Sequence, residues 1–208
     1  MNKHYSYLDV LCCGLLVLVV LAAQVAVADG FRNPPPGGAG LGRAGAFVAQ
    51  SDDPSAISYN AANIVDLEKP QAEAALALGS TEVKYDAPWG GSAKSDDEWQ
   101  ALPNLYFVYP LIEKKAAMGL GITTPFGQSI EWAEDSVLRY SVPYSAEIRL
   151  VNINPTFSAR VNDKFAVGVG LDVYVSDLDF RQMYPWSLAT GNPMAPDGKV
   201  RLDGEGQG

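Results

Sequence analysis

Residues 147–175 read EIRLVNINPTFSARVNDKFAVGVGLDVYV, and the spacing of apolar residues within them decides the fold. Val151, Ile153, Phe157, Ala159 and Val161 fall on one face of an extended chain, while Asn152, Asn154, Thr156, Ser158 and Arg160 fall on the other. Asn162-Asp163-Lys164 has the chemistry of a tight turn. Beyond it, Phe165, Val167, Val169, Leu171, Val173 and Val175 alternate with Ala166, Gly168, Gly170, Asp172 and Tyr174. Side chains on a strand alternate with period two, so the stretch predicts two antiparallel strands, each apolar on one face and small or polar on the other.

Working outward, three earlier segments carry the same signature. In residues 71–85, Ala72, Ala74, Leu76 and Leu78 alternate with Gln71, Glu73, Ala75 and Ala77. Residues 101–112 contain Leu105, Phe107 and Tyr109, and after Glu113-Lys114-Lys115 a third segment sets Met118, Leu120 and Ile122 against Ala117, Gly119 and Gly121. The connections alternate in length: a polar loop over 86–97, a short turn at 113–115, a long excursion over 125–146, a short turn at 162–164. No long apolar stretch with a 3.6-residue period separates the segments, which disfavours a parallel βαβ fold.

Strands of roughly ten residues with short turns at one end and long loops at the other suit a transmembrane β-barrel. Lipid supplies no hydrogen bonds, so every backbone group must pair with a neighbouring strand and only the outer face can be apolar. The expected fold is all-β: a transmembrane antiparallel β-barrel, partial, with about five strands. Trp89, Tyr106, Tyr109 and Tyr174 are candidate interfacial aromatics. A soluble β-sandwich, whose strands also alternate, is the alternative from pattern alone.

The N-terminus favours the barrel. Lys3 and His4 precede an apolar block over residues 10–28 that ends Ala26-Val27-Ala28, the form of a cleaved secretory signal peptide. Cleavage would remove Cys12, Cys13 and His4, the only cysteines and histidine in the chain. That excludes a disulfide framework, a Cys/His metal site, a catalytic triad and a cysteine nucleophile, so no metal, cofactor or catalytic residue is expected. Lys3 and Asp9 cancel, so the net charge of −9 survives cleavage, and such a chain is a poor nucleic-acid partner.

Residues 37–63 read GGAGLGRAGAFVAQSDDPSAISYNAAN, in which Gly40, Gly42 and Gly45 spell G-x-G-x-x-G. A dinucleotide turn needs a strand before it and a helix after it, and Pro34-Pro35-Pro36 rules out a central strand. Asp52-Asp53-Pro54 instead offers an N-cap and a proline at the first helical position, predicting a short helix over 55–63.

Several of these residues resemble the long-chain fatty acid outer-membrane transport family (FadL/TodX type). They are Gly40-Leu41-Gly42-Arg43-Ala44, Ser51-Asp52-Asp53-Pro54-Ser55-Ala56 and Asn60-Ala61-Ala62 in the plug, then Gly119-Leu120-Gly121-Ile122-Thr123-Thr124-Pro125-Phe126-Gly127 followed by Trp132 and Arg139-Tyr140. Val151-Asn152-Ile153-Asn154-Pro155 and Val161-Asn162-Asp163-Lys164 continue it. The resemblance implies a signal peptide over 1–28, a hatch over 29–68 and a barrel over 69–208, in the outer membrane of a Gram-negative bacterium. It implies passive uptake of long-chain fatty acids or other hydrophobic compounds: capture by extracellular loops, passage to a lumen pocket, hatch rearrangement, and lateral exit beside a kinked strand. The lipid bilayer, lipopolysaccharide and the outer-membrane assembly machinery would be its partners. Asn60-Ala61-Ala62 departs from the family's Asn-Pro-Ala. Five strands cannot close a barrel, and residues 204–208 read as the start of a further strand, so the chain is expected to be an N-terminal fragment. A non-transporting adhesin or phage receptor on the same scaffold, or a secreted β-sandwich binding protein, are the alternatives.

Phe126, Ile130, Trp132, Leu138, Tyr140 and Tyr144 give the loop over 125–146 an apolar surface suited to an alkyl chain. Arg43, Arg160 and Arg181 are candidates for a carboxylate headgroup, with Asp172 an alternative partner for Arg160. Gly40, Gly42, Arg43, Gly45, Asp53, Pro54 and Asn60 mark the hatch or gate, and Gly119 and Gly121 a strand kink. Glu131, Glu134 and Asp135 read as solvated loop charge rather than paired catalytic carboxylates.

Overall fold

The computed structural model describes residues 33, 36–49, 52–96 and 99–208; the proposed signal peptide and its cleavage site lie outside the described residues. The wall is one antiparallel meander. Its strands are β1 (Gln71–Ser80), β4 (Trp99–Ile112), β5 (Ala116–Glu131), β6 (Ser145–Asn162), β7 (Phe165–Gly170), β8 (Val173–Tyr184) and β9 (Gly198–Gln207). The order is β1-β4-β5-β6-β8-β9, with β7 also on β6, so β7 and β8 are one strand interrupted at Leu171-Asp172. A small hairpin of β2 (Lys84–Asp86) and β3 (Ser92–Lys94) stands in the loop between β1 and β4. Long loops therefore lie at one end of the wall, called upper here, and the turns at 113–115 and 163–164 at the other.

Three expectations change. Six long paths replace five, because residues 198–207 pair with β8 along their whole length, Gly198 opposite Tyr184 to Gln207 opposite Val175. The further strand expected to start at 204 begins at Gly198 instead, where Val200 and Leu202 alone give too little period-two signal to mark it. The excursion over 125–146 shrinks to 132–144, because β5 continues through Pro125. The helix over 55–63 is two 3₁₀ turns, Pro54–Ser58 and Ala61–Asp66, separated where Asn60 caps the second through its side chain.

The segment before β1 packs on one face of the sheet; below, the segment is called the plug and that face the inner one. The plug begins with helix α1 (Gly38–Gly42), and Asp53 caps the first 3₁₀ turn, its Oδ1 accepting from the Ser55 amide at 2.9 Å. Ala56, Ile57, Ile64 and Leu67 of the plug form one buried cluster with Tyr106, Val108 and Ala117 of the wall. Ser58 and Tyr106 share a 2.9 Å hydroxyl hydrogen bond. Tyr106 is thus buried under the plug rather than interfacial, and Tyr174 also lies on the inner face, while Tyr109 and Trp89 are exposed. Burying these side chains, at roughly 1.5–3 kcal/mol each, holds the plug against a wall that has little apolar inner surface of its own.

On the opposite face, Leu76, Leu105, Phe107, Met118, Leu120, Phe157, Val167 and Val169 are all strongly exposed. A continuous apolar belt of this kind is what hydrocarbon demands of a barrel exterior.

Candidate functional site

The upper wall differs from the lower one, and the difference starts at a bulge in β5. Up to Thr123, β5 pairs regularly with β6, Gly119 opposite Thr156, Gly121 opposite Asn154 and Thr123 opposite Asn152. The next partners are Phe126 and Leu150, so Thr124-Pro125 face Val151 alone. Proline, which cannot donate to a ladder, is at home in a bulge. The extra residue reverses which β5 side chains point inward: odd-numbered below, even-numbered above.

Register then defines the inner face of the upper wall. Phe126 stands opposite Leu150 and Ile130 opposite Ala146; Ile148 stands opposite Leu178, and Phe180 opposite Leu202. These share the inner face with Asn152 and Tyr174, one row below. Ile148, Leu150, Leu178, Phe180 and Leu202 thus form an apolar inner wall with Phe126 above the plug. The outer face of the same rows is charged: Glu147, Arg149, Asp177, Asp179, Arg181, Arg201, Asp203 and Glu205. β6 has 18 residues, well over the 9–11 a strand needs to span hydrocarbon, so its upper part extends beyond the lipid.

The wall is also open beside the bulge. β4 and β5 pair only from Leu105/Ile122 down to Ile112/Ala116. Above that, side chains bridge them: Asn104 Oδ1 accepts from the Thr124 amide at 3.3 Å, and Gln100 Nε2 donates to the Ser129 carbonyl at 3.1 Å. A cleft of about 430 Å³ occupies the gap, between Trp99–Leu102 and Thr124–Ser129 with residues 147–151 behind. Asn33 docks at the bulge, its amide donating to the Pro125 carbonyl at 3.0 Å and its Nδ2 to the Thr124 carbonyl at 2.8 Å.

The residues singled out from sequence separate into different places. Phe126 is in the inner wall, a strand residue rather than a loop one. Ile130, also on β5, packs against buried Trp132 and Leu138, which with Ala93 form a cluster joining the upper loops. Tyr140 is exposed and donates to Asp197 at 2.8 Å, and Tyr144 lies under the Lys199 ammonium. None of the arginines reaches the apolar wall. Arg43 is exposed and stacks on Phe47, 4.9 Å from the ring centroid. Arg160 is paired with Asp66 of the plug and not with Asp172. Arg181 lies on the outer face, where it and Arg201 share Asp179 at 3.0 and 2.8 Å.

The glycines also divide. A Cβ at Gly40 would stand 2.0 Å from the Tyr59 hydroxyl and Gly45 has φ +82°, so both positions require glycine, while Gly42 has open space around it. Gly119 and Gly121 are not a kink: their pairing is regular, and their missing side chains admit Ile57, whose Cδ1 would lie 2.7 Å from a Cβ at Gly119. The irregularity sits at Thr124-Pro125. Asp53 and Asn60 each cap a 3₁₀ turn, and Pro54 opens the first. The lower end of the plug is tied down by Asp66–Arg160 and by Glu68–Lys114 at 2.7 Å, where the Lys114 ammonium holds the Glu68 carboxyl below its ordinary range.

An antiparallel wall with an outer apolar belt has the architecture of an outer-membrane β-barrel. The chain belongs to the family described as outer membrane protein transport protein (OMPP1/FadL/TodX), which it matches over residues 19–203. It is 28% identical over 167 residues to a long-chain fatty acid transport protein of Salmonella typhi, across 76% of this chain and 37% of that protein. The crystal structure of a Pseudomonas aeruginosa FadL homologue superposes with a TM-score of 0.62 at 23% identity, covering 86% of this chain and 48% of that one. The P. putida toluene transporter TodX superposes at 0.56 and 20% identity, covering 71% and 41%. The sheet here is the corresponding partial, unclosed wall, and the chain spans less than half the length of each of these relatives.

Proposed function

We propose that this chain forms part of an outer-membrane channel for passive uptake of hydrophobic compounds, and that it is not an enzyme. The observation that carries the reading is the apolar inner wall of Phe126, Ile148, Leu150, Leu178, Phe180 and Leu202 directly above a fitted plug. An apolar surface inside a protein is costly to leave wet, and it suits an alkyl or aromatic solute that sheds water on binding. Solute caught among the upper loops reaches this wall, and the cleft between β4 and β5 is a side opening at the level of the headgroups, above the apolar belt. The plug closes the path downward, and its two ion pairs at the lower end are the contacts a hatch rearrangement would break. The apolar belt faces the lipid bilayer, the charged rows above it face the phosphorylated headgroups of lipopolysaccharide, and insertion would require the outer-membrane assembly machinery. The long-chain fatty acid and toluene transporters to which the chain is similar make alkyl and aromatic compounds the first solutes to test.

The test is binding of dodecane to the purified chain in detergent micelles, followed by tryptophan fluorescence. Leu150→Asp and Phe180→Asp each place a carboxylate on the apolar wall and should weaken binding at least about tenfold, equivalent to roughly 1.4 kcal/mol. Phe107→Ala, on the outer belt, should leave it unchanged. Equal binding by all four proteins would sink the inner-wall site.

A further inference from the structure

A second cavity, of about 280 Å³, lies where the apolar wall meets the plug. It is lined by Thr123, Phe126, Asn152, Asp172 and Tyr174 of the wall and by Ile57 and Ser58 of the plug. Phe126 lines this cavity and the cleft above it, and Leu150 and Ser176 stand one inner position above Asn152 and Tyr174. A molecule lying on the apolar wall would therefore present its lower end to this polar floor.

The floor sets the Asp172 carboxylate and two asparagine amides beside the hydroxyls of Ser58, Thr123 and Tyr174. Asn152 and Asn154 both donate through Nδ2 to Oδ1 of Asp172, each at 2.6 Å. A carboxylate accepts and does not donate, so these bonds fix the orientation of both amides. Asn152 is only 9% exposed, and its Oδ1 is buried with no hydrogen-bond partner among the described residues. A buried amide oxygen without a donor is the exception in folded proteins and calls for an occupant. The cations that would answer a carboxylate are elsewhere. In the upper rows of β5, β6, β8 and β9, Arg149, Arg181, Lys199 and Arg201 all occupy outer-face register positions, and no Lys or Arg occupies an inner one.

We infer that the cavity is a headgroup subsite for an uncharged hydrogen-bond donor, an alcohol or phenol hydroxyl, with Asn152 Oδ1 as its acceptor and Asp172 excluding carboxylates. The inference rests on the proposed apolar site and names the amphiphile that fills it. The hydroxyl donates to Asn152 while the alkyl or aryl body lies on Phe126, Leu150 and Phe180. An ionised carboxylate in the same position brings no proton for Asn152 and places a second negative charge beside Asp172, which disfavours it.

Binding of dodecane, 1-dodecanol and dodecanoate at pH 8 to the full chain in micelles tests this. 1-Dodecanol should bind about tenfold more tightly than dodecanoate, the size expected of one hydrogen bond to an otherwise unpaired buried group. Asn152→Leu should lower the affinity for 1-dodecanol about tenfold and leave dodecane unchanged, which a misfolded variant would not do. Asp172→Asn should narrow the preference by strengthening dodecanoate. The inference is overturned if dodecanoate matches 1-dodecanol, or if Asn152→Leu weakens dodecane and 1-dodecanol alike, as a merely water-filled cavity would give. Dodecane binding without any alcohol preference leaves the apolar site standing and removes only the subsite. Failure of all three to bind removes both.

Discussion

The lower and upper halves of the wall use the same strands with opposite polarity. Below, Phe157, Val161, Val167 and Val169 face outward and Ser158, Arg160, Gly168 and Gly170 face the plug. Above, Arg149, Asp177, Asp179 and Arg201 face outward and Ile148, Leu150, Leu178 and Phe180 face inward. The reversal follows from what each face meets. The lower exterior meets hydrocarbon and its interior is filled by a plug that brings its own apolar residues. In the proposed channel the upper exterior stands in the charged headgroup layer, which leaves its interior free to be apolar.

The bulge is the sharpest place to break this contrast. Pro125→Val restores a ladder donor, and pairing that runs on without the bulge would set Phe126 opposite Arg149, turning Phe126 and Ile130 outward and Gly127 and Ser129 inward. Dodecane binding should fall by more than tenfold, and an unchanged affinity would mean that the bulge does not set the inner wall.

In the lower half the decisive contact is Ile57 between Gly119 and Gly121. Ile57→Ala should cost about 2–5 kcal/mol of plug docking, read as faster chymotrypsin cleavage after Tyr59 in the folded protein. Cleavage as slow as in the unaltered chain would place the plug's anchor elsewhere. The smallest effect belongs to the upper loops, where Lys84 and Lys94 hydrogen-bond Glu82 and push its carboxyl down to about 2. A lowered folded-state value contributes stability that is complete above the ordinary glutamate range, near 4.5, and lost as pH falls toward 2. The hydrogen bond from the Ser95 amide to Val83, 2.9 Å long, should lose exchange protection across that window, whereas Glu82→Gln should show no such step.

The reversal of polarity was legible in part. Residues 171–180 read LDVYVSDLDF, and the apolar positions switch from odd to even after Val175 while the strand runs on. Pro125 inside an alternating segment is likewise a bulge signal, yet the same proline makes 125–146 read as loop. The aromatic residues over 126–144 looked like one surface because sequence spacing cannot distinguish a strand residue such as Phe126 from loop residues such as Trp132 and Leu138, which pack on one another. Only the end of β9, over 204–208, reads as a strand from sequence, because Val200 and Leu202 are its only apolar residues.

The period-two alternation and the lengths of the connections by themselves determined an antiparallel wall, and Asp53-Pro54 a helical turn before it, because strand faces and helix caps are local properties. Which arginine meets which acid, which glycine admits Ile57 and which face is inner above Thr123 were decided only in the tertiary structure. Each depends on register between strands far apart in sequence, and a single extra residue at Thr124-Pro125 reverses every facing that follows it on β5.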